Sequence, residues 1–369
     1  MVFVVSVFWD SCKDGPVKVV YTLRHRAHHP ERELEDSRFQ EPFEHPGRAE
    51  IIRAALAADG RFEFVAPDDH GRGPIDEVHD PGLVDFLESA WTRFQEAHGP
   101  THDVIPDVFS MAGLRDGMGP ARRPDSISME LGWWCFETTT PITQGTYDAA
   151  RSSVDVALTA ADLVVAGEQT AYGLCRPPGH HASRSLYGGY CFFNNAAVVA
   201  NHLARTTGSK VAVLDVDYHH GNGTQQIFYD REDVVFVSLH GDPRRAYPYL
   251  TGHPDETGTG AGSGATHNLP LPAGCDDDAY VTALAGACER IASSGAESVV
   301  VSLGLDTYFE DPISDLGLTG DGLERCGAMV ADMGLPTVVL QEGGYATEAL
   351  GENARRWLSG AMGPEFTAD

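Results

Sequence analysis

Residues 211–223 read VAVLDVDYHHGNG. The opening VAVL is apolar without alternation, the pattern of a strand covered on both faces, as in the middle of a parallel sheet. Polar residues then follow at once: Asp215, Asp217, His219 and His220, closed by Gly221, Asn222 and Gly223. Ligands of open α/β sheets bind outside the carboxyl ends of the strands. A buried run that discharges into acids and imidazoles therefore predicts a fold class and the edge on which a site would lie.

Other runs repeat the pattern. VFVVSVF near the N-terminus, DVVFVSLH at 233–240, SVVVSLGLD at 298–306 and PTVVLQEGG at 336–344 are strand-like. Between them NNAAVVANHLARTT and DAYVTALAGACERIASSG have helical spacing, the second ending on a glycine suited to a helix C-terminus. The alternation predicts an α/β fold: one open parallel β-sheet flanked by helices. No fixed-period repeat and no compositional linker divides the chain, so residues 1–369 read as a single domain with a long loop at about 103–128, rich in Gly, Pro and charge.

Composition narrows the classes of function. The 369 residues carry 26 Lys+Arg against 54 Asp+Glu, a formal charge of −28 that disfavours nucleic acid and suits a cationic small molecule. The seven cysteines are scattered and form no C-x-x-C, so neither a disulfide framework nor a zinc ribbon is indicated and a reducing, cytoplasmic location is expected. The start MVFVVSVF lacks a basic flank and is too short for a membrane span, so it reads as a first buried strand rather than a signal peptide.

Four runs deliver polar groups to one edge: Asp215, Asp217 and His219; His240; Asp306; Glu342 and Tyr345. Asp217 and His219 are two apart in an extended chain and point the same way, so they can share an ion. Asp306 closes another strand of the sheet and is the best third ligand. Two carboxylates and one imidazole leave a position open for water, the catalytic pattern for Zn²⁺, although Fe²⁺, Mn²⁺ or Co²⁺ would also suit such donors. Water on a metal needs a base, and the leaving group needs a proton. The doublet His180 and His181, entered through Pro177, Pro178 and Gly179, can supply both, whereas His28 and His29 read as an accident of a loop. Tyr345, after two glycines, can turn its hydroxyl toward a developing oxyanion.

In order and over nearly the whole chain, RPPGHHA, GGYCFFNNAAVVA, LDVDYHHGNGTQQIFY, VSLHGDP, GLDTYFEDP and EGGY resemble the arginase/deacetylase fold family, specifically its zinc-dependent deacetylases of the histone deacetylase superfamily. GRAEII at Arg48, YPYLTGHPDETGTGAGSGATHNLPL and the loop before residue 130 look most like the bacterial acetylpolyamine amidohydrolases. The resemblance implies Asp217, His219 and Asp306 as zinc ligands, His180 and His181 as the catalytic pair, and Tyr345 as the oxyanion donor. It implies that Asp215 orients His180 and, with Ser238 and backbone oxygens of Asp217, His219 and Leu239, surrounds a structural K⁺. A second monovalent site would use carbonyls near Phe228 and Val234. Asn222 stands where many relatives carry an aspartate, so His181 is expected to be more readily neutral. Gly189, Tyr190 and Tyr247 match the substrate tunnel, whose aromatic walls suit a methylene chain ending in an amide.

The expected function is removal of acetyl or a similar short acyl group from acetylated polyamines or related small amides, with protein acetyl-lysine deacetylation as the alternative. A binuclear arginase-like hydrolase would need another acid four residues after Asp217, where Gly221 stands. A non-enzymatic binding module would lack a ligand, a histidine or the tyrosine, and GAGSGA at 260–265 follows a loop rather than a strand, against a nucleotide turn. The length of the 103–128 loop, with the resemblance, predicts a homodimer in which the loop folds over the neighbouring subunit and narrows the entrance; no membrane partner is expected. Specificity departs from the family at Thr139, where the polyamine enzymes carry a glutamate. Glu137 is two residues away and, on a helix, would point elsewhere.

Overall fold

The computed structural model describes residues 15–363. Among the described residues ten strands follow one another: β1 (Val17–Val20), β2 (Glu33–Glu35), β3 (Arg38–Gln40), β4 (Phe62–Val65), β5 (Thr170–Gly173), β6 (Val211–Asp215), β7 (Val234–Gly241), β8 (Thr266–Leu271), β9 (Ser298–Leu303) and β10 (Thr337–Gln341). Eight of them form one all-parallel sheet in the order β4-β1-β5-β10-β9-β6-β7-β8, while β2 and β3 make a separate antiparallel hairpin.

Both faces of the sheet are covered, which is why its central strands carry uninterrupted apolar residues. Val211 and Val213 of β6 join the core under helices Thr146–Val165 and Asn195–Thr207, whereas Ala212 and Leu214 join the core under helices Asp277–Ser294, Gly320–Ala331 and Thr347–Ala361. The two helices expected from sequence form with the expected punctuation. Asn194 and Asp276 cap their N-termini through side-chain bonds to Ala197 N and Ala279 N, and Gly208 and Gly295 close them at φ 69° and 79°.

The topology fixes where a ligand can sit. From β6 the chain moves outward through β7 to β8, then returns to build β9 and β10 on the other side of β6. The strand order reverses between β6 and β9, and the crevice beyond their carboxyl ends is the switch point at which such sheets bind ligands.

The strand expected at MVFVVSVF lies outside the described residues; VKVV at Val17–Val20 is the first strand of the sheet. GAGSGA forms a short 3₁₀ turn at Gly260–Gly262 and opens no helix. Residues 103–128 are irregular apart from a 3₁₀ turn at Ala112–Arg115 and the start of helix Ile127–Trp134. The segment carrying Glu137 and Thr139 is not helical: that helix ends at Trp134, and Ile142 pairs with Val104. Among the described residues no helix is long and apolar enough to cross a membrane.

Candidate active site

Register places Asp215 beside Ser302 of β9 and Ser238 of β7, so the chain leaving β6 enters the switch-point crevice. There His219 Nδ1 lies 3.2 Å from Asp217 Oδ1 and 3.0 Å from Asp306 Oδ2. All three residues are buried, and one donor atom from each lies within 4.8 Å of the others. Backbone amides brace the carboxylates: Gly343 N donates to Asp217 Oδ2 at 2.8 Å and Tyr218 N to Asp306 Oδ1 at 2.9 Å. Gly343 must lack a side chain, because a Cβ there would stand 2.4 Å from Asp306 Oδ2 and 2.6 Å from Asp217 Oδ2.

The histidine doublet arrives on the turn after β5. Glu342, beyond the end of β10, anchors it by accepting from Gly179 N at 2.6 Å and His180 N at 3.2 Å. The two imidazoles stack with centroids 4.0 Å apart but have different partners. His180 Nδ1 is 3.1 Å from Asp215 Oδ2, and His181 Nδ1 is 2.7 Å from Asn222 Oδ1. Burial disfavours a charge on either ring. For His180 the carboxylates of Asp217 and Asp215 outweigh it and raise the ring to about 10. His181 has no such compensation: burial, then the charges of His180 and His219, drive it well below its usual 6.5. Among the ligand carboxylates, burial and the neighbouring Asp217 push Asp306 up to about 7. Asp217 is held low despite burial, by His180 and His219.

A cavity of about 170 Å³ opens on this cluster, with His181, His219 and Tyr345 among its lining residues. Tyr345 is fixed from two sides: its amide donates to Asp311 Oδ2 at 2.7 Å, and the Arg48 guanidinium lies 4.5 Å from its ring centre. Arg48 also donates to the carbonyls of Glu342 and Gly344, at 2.8 Å and 2.6 Å. The walls are aromatic, with Tyr190 packed 5.8 Å from Tyr345 and Tyr247 packed 5.0 Å from His181. Tyr190 adopts φ 67°, a conformation costly for a bulky residue.

Glu137 explains how that strained turn is held. Its Oε1 accepts from Gly189 N at 2.9 Å and its Oε2 from Thr139 Oγ1 at 2.6 Å, while Thr140 Oγ1 accepts from Tyr190 N at 2.8 Å. The Glu137 carboxylate is thus engaged in its own loop, whereas Thr139 and Gly189 line the cavity. His220 and His240 are also drawn elsewhere. His220 is bonded to Thr251 and Gln225, and His240 lies between Ser238 Oγ at 2.8 Å and the Gly252 carbonyl at 2.9 Å. Leu239 is buried in β7; Phe228 ends helix Asn222–Phe228 and Val234 opens β7, at the end of that strand remote from the cavity. His28, read as incidental, is buried with its Nδ1 2.9 Å from Thr146 Oγ1. Sequence reasoning did not single out Glu35 and Arg245, which reach the cavity rim, or the brace formed by Arg48.

Comparison with known proteins gives one consistent result. The histone deacetylase domain family matches residues 42–361. Acetylpolyamine amidohydrolase 1 of Pseudomonas aeruginosa is 47% identical over 93% of this chain and 98% of its own length. The acetylpolyamine amidohydrolase of Mycoplana ramosa is 43% identical, over 94% of this chain and 100% of its own. The crystal structure of acetylpolyamine aminohydrolase from Burkholderia pseudomallei superposes with a TM-score of 0.87 at 36% identity, covering 94% of this chain and 100% of the other.

Proposed function

The chain belongs to the histone deacetylase domain family, and from that premise we propose that it is a metal-dependent amidohydrolase removing acetyl or similar short acyl groups from acetylated polyamines or related small primary-amine amides. The observation that carries the proposal is the meeting of Asp217, His219 and Asp306 at an aromatic cavity beside His180 and His181. Those donors fit a divalent ion. Their separations of 3.0 Å and 3.2 Å are close to the edge of about 3.3 Å of a tetrahedron with bonds of about 2.0 Å. Burial and the neighbouring Asp217 carboxylate together raise Asp306, and a bound cation would offset both. Zinc is the ion we assign, and Fe²⁺, Mn²⁺ or Co²⁺ would accept the same ligands. When bound, such an ion supplies Lewis-acid polarisation of the amide carbonyl and acidification of water.

The chain's own residues supply the remaining chemistry. Asn222 Nδ2 donates to the His181 carbonyl at 3.4 Å, which turns Oδ1 toward the ring and assigns the proton to His181 Nδ1. His181 Nε2 is then the basic atom, on a ring that burial keeps neutral, and it takes the proton of the attacking water. The same atom returns a proton to the departing amine. His180, held charged against Asp215 and Asp217, stabilises negative charge as it develops. The Tyr345 hydroxyl donates to the oxyanion, with Arg48 fixing the ring. Tyr190 and Tyr247 exclude water from the methylene chain of the substrate.

Structural K⁺ belongs to the same proposal. Burial raises the Asp215 carboxyl, and a monovalent cation among Asp215, Ser238 and the backbone oxygens of Asp217, His219 and Leu239 would offset that. A second would use carbonyls near Phe228 and Val234. The homodimer is supported by exposed apolar side chains on the 103–128 loop, where Met111, Leu114 and Met118 are 66%, 67% and 63% exposed. Sedimentation of a Met111→Glu, Leu114→Glu variant as a monomer, against a wild-type dimer, is the expected result; a wild-type monomer contradicts the dimer. The formal charge of −28 supports a cationic small substrate rather than nucleic acid, and the scattered cysteines support a cytoplasmic location.

The test is kcat/KM of zinc-loaded protein on acetylputrescine, acetylspermidine and acetyl-lysine peptides. Higher values on the acetylated polyamines are expected. Preference for the peptides would establish the protein deacetylase reading instead.

A further inference from the structure

The β2–β3 hairpin brings an acid to the cavity beside Thr139. Leu34, in the middle of β2, accepts a hydrogen bond at its carbonyl from Thr138 Oγ1 at 2.7 Å, which docks the β2–β3 hairpin against the segment carrying Thr139. One residue further along each strand of that junction stand Glu35 and Thr139, and both line the rim of the catalytic cavity. Glu35 Oε2 accepts from Gln40 Nε2 at 2.7 Å, across the hairpin, while Gln40 also bonds Glu33 Oε1 at 2.9 Å. That bond steadies the Glu35 side chain; Oε1 has no partner among the described residues. The other charged side chain on the rim, Arg245, is ion-paired with Asp315, whose second oxygen accepts from Tyr218. Among the residues that line the cavity Glu35 is therefore the one carboxylate, and no ion pair among the described residues engages it.

We propose that Glu35 is the specificity-determining residue that binds the free ammonium group of the substrate. The inference rests on the amidohydrolase reading above and sharpens it to amides whose amine portion carries a second, protonated nitrogen. The cavity reads one molecule at both ends: the acyl amide at the histidines, the ammonium at Glu35, and the methylenes against the tyrosines. An acetylated monoamine would leave the carboxylate without a partner. An acetylated diamine forms a charge-assisted hydrogen bond there.

N-acetylputrescine and N-butylacetamide share a carbon skeleton and differ in the terminal ammonium, so the ratio of their kcat/KM values isolates this contact from folding and metal loading. The wild-type ratio is expected to favour the cation by on the order of 10-fold, to fall toward unity in Glu35→Gln, and to shrink in the wild type as salt is raised. Thr139→Glu in the Glu35→Gln background should recover the preference, because the new carboxylate arises at the adjoining rim position. Hydrolysis of both amides with a ratio unchanged by Glu35→Gln overturns the assignment of Glu35 and leaves the amidohydrolase reading intact. Hydrolysis of neither amide by zinc-loaded wild type overturns that reading, and this assignment with it.

Discussion

Glu44→Gln is expected to lower stability through the brace beneath the cavity. Glu44 Oε1 accepts from Arg176 Nε at 2.7 Å and from Arg48 Nη1 at 3.1 Å, with all three side chains buried. Arg176 continues to the carbonyls of His25 and His28, at 2.6 Å and 2.8 Å, and Arg48 to those flanking Gly343. Burial alone would raise the Glu44 carboxyl, but the two guanidiniums outweigh it and hold it at about 2 against an ordinary 4.5. At about 1.4 kcal/mol per tenfold change in proton affinity, this is about 3 kcal/mol of stability. It agrees with the loss of about 3–5 kcal/mol when a buried ion pair is broken from one side. An unfolding entropy of about 2.1 cal/mol/K per residue, over 369 residues, converts that loss into a fall in Tm of about 4–6 °C. The sign with pH follows from the depressed folded-state value. The contribution is complete above pH 4.5 and is lost as pH falls through the folded-state value of about 2, so the gap between variant and wild type should narrow on acidification. Thermal unfolding followed by circular dichroism, at neutral pH and in steps toward about pH 3, measures both. A neutral-pH gap below about 1 °C, or one that widens with acid, would refute the reasoning.

Tyr345→Phe should lower kcat by about 10²–10³ with the fold intact, as for loss of an oxyanion donor; near-wild-type kcat on acetylputrescine would remove the tyrosine from the mechanism. Gly343→Ala thrusts a methyl group against Asp217 and Asp306, so Zn²⁺ affinity, read by competition with a chromophoric chelator, should fall by about 10-fold or more; unchanged affinity would mean those carboxylates hold no ion. Glu137→Ala frees the strained Gly189 and Tyr190 turn and should raise KM several-fold more than it lowers kcat; an unaltered KM would show that the turn holds itself.

What was legible in the sequence follows the physics of burial. Strands β6, β7, β9 and β10 are readable because both faces are covered and each carries a run of three or four consecutive apolar residues. β1 and β4 were missed because they lie at the sheet margin, where Lys18 and Glu63 pair across exposed positions, and β8 because an edge strand tolerates Pro270. The ligand triad was legible because strand ends point to one edge, whichever tertiary contacts follow. The rule does not say which side chain turns toward the crevice, so His240 was grouped with the site although it packs against His220, 4.6 Å away. Glu44 and Arg176 are separated by 132 positions, and no local pattern connects them. Glu35 sits on a three-residue strand outside the main sheet, among charged neighbours that read as surface until the hairpin docks at Thr138.

The most direct measurement is acetate release from acetylputrescine by protein stripped with a chelator and then titrated with Zn²⁺. Turnover should be abolished in the stripped protein, rise linearly with added zinc and saturate at one equivalent, as a single site built by Asp217, His219 and Asp306 requires. Full turnover by the metal-free protein, or saturation only at two equivalents, would contradict it.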